Sequence, residues 1–426
     1  MGVGVGGRSS ALWGVVLGLL LGGCAGGPAA QGGAGASDAV PLPDREYRLY
    51  VANESSDVVS RVVFTPEEGA WVEREIRVGI MPADTDAPHG LAVAPGGEHF
   101  YVTLAHGTPY GWLWKFQAGP DTLVDRVRLG RFPASAGLDP QGTFVFVVNF
   151  NLHGDMVPSD LSVVHAGTMQ EMTRVRTCLM PHGSRVDPSG RRHYSVCMHS
   201  DQLVEVGLTD FQVTGRYSLA PGSEGPLSLD DLGDSPHAHA HDPGPMVHIP
   251  EEEGRPLPDP GPHHAEGEAR CSPTWVAPGR GARGAGFVYV ACNAADQVLE
   301  VDVGQWEVTR RWETGRGPYN VEVTPDGGTL LVTLRGEGGL ELLDLEGDGP
   351  RVSLETSRGV THGVVVEPDG RYAFVSNESV GADRGTMDVF DLEARRRVAT
   401  VELRHQPTGI DFWRSDPGGQ GPVPGS

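Results

Sequence analysis

The sequence predicts an all-β fold, a seven-bladed β-propeller whose blades have four strands each. The first observation is a short segment of β-branched and aromatic residues that recurs seven times in the 426-residue chain, as expected of a buried strand. The second is an entry segment that starts with Pro or Thr and leads into a tight turn. The buried segment ends at Asn53, Leu104, Asn149, Met198, Asn293, Leu334 and Asn377. The entry segment begins at Pro88, Pro133, Pro181, Pro273, Pro318, Thr361 and Pro407.

The third observation is that two further amphipathic segments follow the buried one. Residues 202–206 and 297–301, for example, are near copies of each other. The buried segments end 41 to 51 residues apart, except for a gap of 95 residues between Met198 and Asn293. Four short strands at this period are typical of propeller blades.

The two ends of the chain carry complementary parts of one repeat. The first buried segment, ending at Asn53, has no entry segment before it, and the last entry segment, beginning at Pro407, has no buried segment after it. The sequence therefore predicts that the C-terminal strand joins the N-terminal blade and closes the ring. Closure removes both free sheet edges, which would otherwise favour aggregation.

The succession of an entry segment, a Pro-x-Gly turn and a YVTN-like strand resembles the YVTN-repeat propellers. Turns of this kind stand at 325–327 and 368–370. The same pattern overlaps with that of the lactonase-type propellers and of the haem-binding propeller of cytochrome-type nitrite reductases. The resemblance covers residues 45–413 and implies a seven-bladed propeller; it implies no single activity, since one fold supports many functions.

The N-terminus has the features of an export signal. Arg8 precedes an apolar run at 11–21, which is too short to span a bilayer as a helix. Residues 21–24, Leu-Gly-Gly-Cys, resemble the lipobox of bacterial lipoproteins, where the Cys at the position of Cys24 is lipidated. Ala25 follows instead of Asp, which by enterobacterial sorting rules favours the outer membrane. We expect an exported lipoprotein of the cell envelope, and an ordinary signal peptide with a chance Cys is the alternative.

Composition divides the chain and limits its partners. We assign 1–23 to a lipoprotein signal peptide, 24–44 to a flexible tether, 45–417 to the propeller and 418–426 to a flexible tail. The net charge of −23 argues against sequence-independent nucleic-acid binding. We expect a monomer that touches the membrane through its lipid and binds a small molecule or a protein on one propeller face.

Four further Cys are predicted to form two disulfides. Cys197 and Cys292 share one repeat position at the end of a buried segment, and Cys178 and Cys271 each lie shortly before the entry segment of the same blade. An oxidising compartment favours disulfides, so we pair Cys178 with Cys197 and Cys271 with Cys292. Metal ligation by these Cys is the alternative. The chain has no C-x-x-C-H motif, so we expect no c-type haem.

Three His share one repeat position, the second residue of an entry segment: His89, His182 and His362. The predicted fold brings them to one mouth of the central channel. Three neutral imidazoles with an open position would suit a transition metal such as Cu, Zn or Fe. In the alternative interpretation, each His is a strand-entry residue that is hydrogen-bonded to a neighbouring blade. Weaker candidates on the same face follow buried segments: His106, His153 and His199.

The long gap between Met198 and Asn293 places an insertion at 221–270. It is rich in Pro, acidic residues and His, cannot bury a core and should be irregular. The alternating residues His237, His239 and His241 would lie on one side of an extended chain and could capture a metal. The alternative is a solvated acidic loop whose His are incidental.

Three functions fit the sequence. The leading hypothesis is a cell-envelope propeller lipoprotein that binds a ligand, a partner or a transition metal on the channel-mouth face. The second is a lactonase-like hydrolase or other propeller enzyme, in which Glu54 and Glu378 of two Asn-Glu-Ser triplets would serve as acid and base. The third is a purely structural or protein-binding propeller. The sequence leaves open whether the protein is an enzyme.

Overall fold

A computed structural model describes residues 45–80, 85–106, 109–232, 270–281, 284–347, 349–379 and 382–417. Several predicted features lie outside the described residues: the signal peptide, the tether with Cys24, the C-terminal tail, and His237, His239 and His241. In the part of the chain that is described, no helix has the length and apolar composition needed to cross a membrane.

The described residues form seven antiparallel sheets, which confirms the predicted fold class. The strands in chain order are β1 (Arg45–Asn53), β2 (Val58–Thr65), β3 (Gly69–Arg77), β4 (Pro88–Val93), β5 (His99–Leu104), β6 (Trp112–Gln117), β7 (Thr122–Arg128), β8 (Pro133–Leu138), β9 (Phe144–Asn149), β10 (Asp160–His165), β11 (Gln170–Arg176), β12 (Pro181–Val186), β13 (Arg192–Cys197), β14 (Gln202–Gly207), β15 (Gln212–Ser218), β16 (Gly225–Pro226), β17 (Pro273–Pro278), β18 (Phe287–Cys292), β19 (Gln297–Asp302), β20 (Glu307–Glu313), β21 (Pro318–Val323), β22 (Thr329–Leu334), β23 (Leu340–Asp344), β24 (Val352–Leu354), β25 (Val360–Val366), β26 (Tyr372–Glu378), β27 (Thr386–Asp391), β28 (Arg396–Glu402) and β29 (Pro407–Pro417). Short 3₁₀ turns occur at Glu54–Ser56, Gly284–Gly286 and Asn293–Ala295.

Each sheet is one blade, and we number the blades 1 to 7 along the chain. Blade 1 has the strand order β29-β1-β2-β3 from the channel outward. Blades 2 to 7 consist of β4–β7, β8–β11, β12–β16, β17–β20, β21–β24 and β25–β28. We call the side of the ring where the inner strands begin and the second strands end the mouth face.

The position of a strand within its blade explains its burial. The second and third strands are covered by neighbouring blades on both faces, so β9 and β19 are buried along most of their length. The outer strand β20 instead alternates between half-buried and exposed residues. The core lies between the blades; at the junction of blades 7 and 1, Tyr47 packs edge-on against Tyr372. Burying a large apolar side chain in this way contributes about 1.5–3 kcal/mol.

The ring closes as the sequence predicts. Strand β29 pairs antiparallel with β1, and Val51 faces Ile410 in this pairing. The closing strand extends to Pro417, beyond the entry segment that predicted it, with a register shift between Arg48 and Leu49. The two chain ends thus form one blade, and β1 has a partner on both edges.

A buried hydrogen bond near the channel joins every pair of neighbouring blades. In each case a side chain on one blade donates to the carbonyl oxygen of the second entry-segment residue on the next, and each such bond contributes about 0.5–1.5 kcal/mol net. From blade 1 onward the bonds are Thr408 to His89 (3.2 Å), His89 to Ala134 (3.0 Å), Ser135 to His182 (2.7 Å), His182 to Thr274 (3.0 Å), Thr274 to Tyr319 (2.7 Å), Thr333 to His362 (3.0 Å) and Ser376 to Thr408 (2.6 Å).

Both predicted disulfides are present. Cys178 is bonded to Cys197 with a Cα–Cα distance of 6.0 Å, and Cys271 to Cys292 with 4.4 Å. Each ties a residue shortly before an inner strand to the last residue of the second strand, in blades 4 and 5 respectively. The four sulfurs are therefore not free to bind a metal. Two disulfides are typical of an exported protein.

The predicted insertion is not irregular throughout. Strand β16, at Gly225–Pro226, pairs with the outer strand of blade 4, with Pro226 opposite Tyr217. The chain therefore leaves the blade at its outer edge. It re-enters on the mouth face, where Arg270 donates to the carbonyl oxygen of His199 at 2.6 Å.

Candidate functional site

The structure brings His89, His182 and His362 together inside the channel. The centre of the His89 ring lies 5.9 Å from that of His182 and 5.4 Å from that of His362. The three residues are only 6%, 2% and 1% exposed, so they close the channel below the mouth face rather than lining an open surface. Their shared repeat position is what places them at one height.

Tyr319 is a fourth member of this group, and the sequence analysis missed it. It occupies the same repeat position in blade 6, and its ring centre lies 5.6 Å from His182 and 4.8 Å from His362. The four rings therefore form a closed layer across the channel, which we call the ring layer. The aligned entry segments contained this signal, but an aromatic residue in a strand is more often part of the core.

Backbone contacts fix the protonation of two of these His. Nδ1 of His89 lies 3.0 Å from the carbonyl oxygen of Ala134, and Nδ1 of His182 lies 3.0 Å from that of Thr274. Since a carbonyl oxygen only accepts, each Nδ1 carries a proton, and in the neutral tautomer Nε2 is the unprotonated nitrogen. The strand-entry interpretation of these two His is therefore correct for Nδ1, and it does not engage Nε2.

Burial keeps two of the imidazoles neutral. It lowers the pKa of His182 to about 3, and the nearby His89 adds to the effect. Burial also lowers the pKa of His362 well below 6.5, again helped by His89 and by Arg335. Nδ1 of His362 has no hydrogen-bond partner among the described residues, although the carbonyl oxygen of Thr408 is close enough to oppose this shift in part.

Two carboxylates face the ring layer from the mouth. Nε2 of His89 lies 3.9 Å from Glu54, and Nε2 of His362 lies 3.8 Å from Glu378. Both Glu residues are buried, at 8% and 6% exposure. Burial raises the pKa of Glu378 and Glu54 raises it further, whereas Arg335, which donates to Glu378 at 3.0 Å, opposes the rise.

The weaker His candidates lie at different places on the mouth face. His106 reaches Glu54, with Nε2 3.8 Å from Oε1, and its ring centre is 5.2 Å from that of His153. The Phe132 ring packs against both. Burial lowers the pKa of His153, as does His106. His199 lies instead beside the end of the insertion, through the bond of its carbonyl to Arg270.

An unusual backbone conformation positions the mouth residues. The residue before the inner strand has a positive φ in most blades, a conformation that costs a side-chain-bearing residue about 1–3 kcal/mol. Its carbonyl then accepts from the residue that follows the second strand, as from Glu54 to Gln406 at 2.8 Å and from Phe150 to Phe132 at 2.8 Å. The residues other than Gly are Ala87 (50°), Phe132 (51°), Met180 (52°), Ser272 (44°) and Gln406 (55°).

The Nε2 atoms that would bind a metal in the ring layer do not point to one position. The Nε2 atoms of His89 and His362 face Glu54 and Glu378, while Nε2 of His182 accepts from the Tyr319 hydroxyl at 3.3 Å. Within the described residues, no group of three or more His, Cys, Asp or Glu side chains is already arranged to hold a metal ion. A shared ion would require these side chains to turn.

Comparison with known proteins supports the fold alone. No protein-family model matches the sequence, and no curated protein matches it. The structure is similar to the periplasmic gluconolactonase PpgL of Pseudomonas aeruginosa, with a TM-score of 0.60, 15% identity and coverage of 86% of this chain and 99% of that one. A Lactobacillus plantarum protein gives a TM-score of 0.58 at 15% identity, with 86% and 99% covered. The dihydro-haem d1 dehydrogenase NirN in complex with DHE gives 0.52 at 14%, with 86% and 75% covered.

Proposed function

We propose that this protein is a cell-envelope propeller that binds a transition-metal ion (Cu, Zn or Fe) in the ring layer. The observation that carries the proposal is the set of buried imidazoles of His89, His182 and His362. The ring centres of His182 and His362 lie 5.9 and 5.4 Å from that of His89. Two imidazoles that share one tetrahedral ion at a metal–nitrogen distance of about 2.0–2.1 Å have ring centres roughly 5 Å apart. Both spacings are close to this value, so the proposal requires the side chains to turn but not the blades to move.

Charge and tautomer also support a metal ion. The protonated Nδ1 atoms of His89 and His182 are held by backbone carbonyls, the arrangement that orients metal-binding imidazoles in general. A buried dication needs compensating negative charge. Glu54 and Glu378, which lie beside Nε2 of His89 and His362, would supply it from just outside the shell of imidazole ligands. To bind, His182 has to leave the Tyr319 hydroxyl, so we expect the ring layer to rearrange on metal uptake.

The test is metal analysis of the purified, chelator-treated and reloaded full-length chain. We expect about one tightly bound ion per chain, and at least a tenfold loss of affinity in His182→Ala and His362→Ala, because each removes one of few ligands. His182→Asn keeps a donor for the Thr274 carbonyl and should lose the metal while staying folded. His165→Ala, at a position outside the ring layer, is the matched control.

Binding in the His-rich insertion has to be separated from binding in the ring layer. The triple variant His237→Ala, His239→Ala, His241→Ala should retain the tight ion. If the ring-layer variants bind metal as the parent does, or if only the triple variant loses it, the ring layer is not the site.

A lactonase-like hydrolase is the second candidate. It is favoured by the two carboxylate–imidazole pairs, Glu54 with His89 and Glu378 with His362, and by the raised pKa of Glu378, which suits a general acid. The fold likeness to a periplasmic gluconolactonase agrees with it. Hydrolysis of gluconolactone by the metal-depleted protein, lost in Glu378→Gln, would support this function over metal binding.

We further propose that the chain is anchored through a lipid on Cys24, as its lipobox-like segment suggests. Cys24→Ala is expected to move the protein from the membrane fraction to the soluble fraction, because a folded propeller without its acyl chains has no other anchor in this proposal. The measurement is fractionation followed by immunodetection, with Cys24→Ala compared to the parent. A variant that stays with the membrane would contradict the anchor.

A further inference from the structure

A cavity of about 610 Å³ occupies the channel on the side of the ring layer away from the mouth. Its wall is formed by the inner strands, with His89 and His362 at the closed end and Pro95, Pro140 and Pro188 at the far end. The volume lies within the range of about 300–1,000 Å³ found for pockets that bind small organic molecules. Neither proposed function uses this cavity.

Four charged side chains from different blades face one another in its wall: Arg185, Arg280, Glu322 and Asp411. Two further carboxylates, Asp139 and Asp187, also line the cavity, but each accepts from backbone N–H groups of its own turn. Glu322 lies between the two guanidinium groups, 3.1 Å from Arg280 and 3.5 Å from Arg185. The Arg185 guanidinium also lies 5.3 Å from the centre of the Trp275 ring, which orients it. Arg185 and Arg280 keep 27% and 44% of their side chains exposed.

The hydrogen bonds of this group leave donors rather than acceptors unused. Asp411 accepts from the backbone of Val93 at 2.7 Å and of Phe412 at 2.8 Å, and Glu322 faces both Arg residues. Each Arg has five N–H groups. Among the described residues, Arg185 donates only to Ser184 and to Glu322, and Arg280 only to Glu322. A ligand of complementary chemistry therefore brings oxygen acceptors.

The rest of the wall is mostly apolar, and two of its polar atoms have no partner. Leu91, Val186 and Ile410 represent the apolar lining. Trp275 Nε1 and Asn320 Oδ1 belong to lining residues, are buried and have no partner within the described part of the chain. Because a buried polar atom without a partner lacks the hydrogen bond that it would make to water, a bound molecule that satisfies one of them gains affinity.

We propose that this cavity is a second binding site, which takes a small organic carboxylate with an apolar body and a hydroxyl group. The carboxylate pairs with Arg185 and Arg280, the apolar body lies along the inner strands, and the hydroxyl donates to Asn320. The site does not depend on a metal, since its charged residues lie on the other side of the ring layer. The competing outcome is a channel that holds only water.

The experiment is calorimetric titration of the metal-depleted full-length protein with a panel of hydroxycarboxylates from lactate to 4-hydroxyphenylacetate. At least one member should bind, and its uncharged amide should bind about tenfold more weakly or worse, because charge-assisted hydrogen bonds to Arg are lost. Arg185→Gln should weaken binding of the carboxylate to the same degree. Arg174→Gln, which removes an Arg on the outer strand of blade 3, is the matched control and should change nothing.

Asn320 gives an independent check on how the ligand lies. In Asn320→Leu, the hydroxylated ligand should lose its advantage over the analogue without the hydroxyl, such as phenylacetate against 4-hydroxyphenylacetate. If no member of the panel binds at 10 mM (on the order of the weakest useful affinity), the channel holds water only and the proposal is wrong. Binding that is equal in the parent and in Arg185→Gln also overturns it.

Discussion

A chain that ends at Gln406 is expected to be insoluble rather than to form a shorter propeller. The truncation removes β29, so β1 loses its inner partner along the pairs from Arg45 to Asn53. It also removes Thr408, which contributes to the junctions of blade 1 with both neighbours. The inner edge of β1 would then be unpaired, which is the condition that favours aggregation.

The matched control is a chain that ends at Pro417, which retains all of β29. It should remain soluble and unfold in a single cooperative transition in circular dichroism. A soluble, cooperatively unfolding chain that ends at Gln406 would show that closure by β29 is dispensable.

One residue tests the same junction without removing a strand. A Cβ at Gly409 would lie 2.3 Å from the carbonyl oxygen of His89 in blade 2, closer than any real contact. Gly409→Ala should therefore lower the melting temperature of the full-length chain, because one of the two backbones has to move. Gly225, where a Cβ meets nothing, provides the comparison with Gly225→Ala.

The sequence predicted those features that the repeat imposes on every blade. The strand order, the closure at Asn53 and Pro407, and the pairing of Cys178 with Cys197 all follow from counting repeat positions. The same counting placed three His at one height in the channel. The counting succeeded because residues at the same repeat position occupy equivalent places in their blades, once the number of blades is known.

Features that depend on backbone conformation or on the contacts of single side chains could not be predicted in this way. The positive φ of Phe132 and Gln406 has no signature in residue type, since neither is Gly or Asn. The contacts of His89 and His362 with Glu54 and Glu378 depend on the path of the chain after each second strand, which the repeat does not determine. Tyr319 was visible in the alignment, but only its distance of 4.8 Å to His362 shows that it belongs with the His residues.

Acid is expected to destabilise the protein strongly, and His193 should account for a large part of the loss. His193, in β13, is 1% exposed, and neither ring nitrogen has a hydrogen-bond partner among the described residues. Burial lowers its pKa from 6.5 to about 3. Below pH 6.5 the unfolded chain therefore binds a proton at His193 and the folded protein does not. The contribution of His193 to stability is fully present above pH 6.5 and is lost as the pH falls towards 3.

The size of this effect follows from the two pKa values. The difference between 6.5 and about 3 corresponds to at most about 5 kcal/mol at roughly 1.4 kcal/mol per pKa unit. Asp411 acts in the opposite direction, because burial raises its pKa to about 6 and the folded protein takes up its proton first. Such contributions cancel when a variant is compared with the parent at each pH.

The comparison is with His193→Phe, whose ring fills a similar volume beside Phe146, 5.5 Å from the present imidazole. We expect the free energy of unfolding of the variant, from urea titrations at pH 7 and pH 4, to fall by several kcal/mol less than that of the parent. The variant should also match or exceed the parent at pH 7, since it buries no unpartnered nitrogen. His165→Phe, in which a partly exposed imidazole of blade 3 is replaced, should leave the acid loss unchanged; an equal loss in the parent and in His193→Phe would show that His193 does not resist protonation in the folded state.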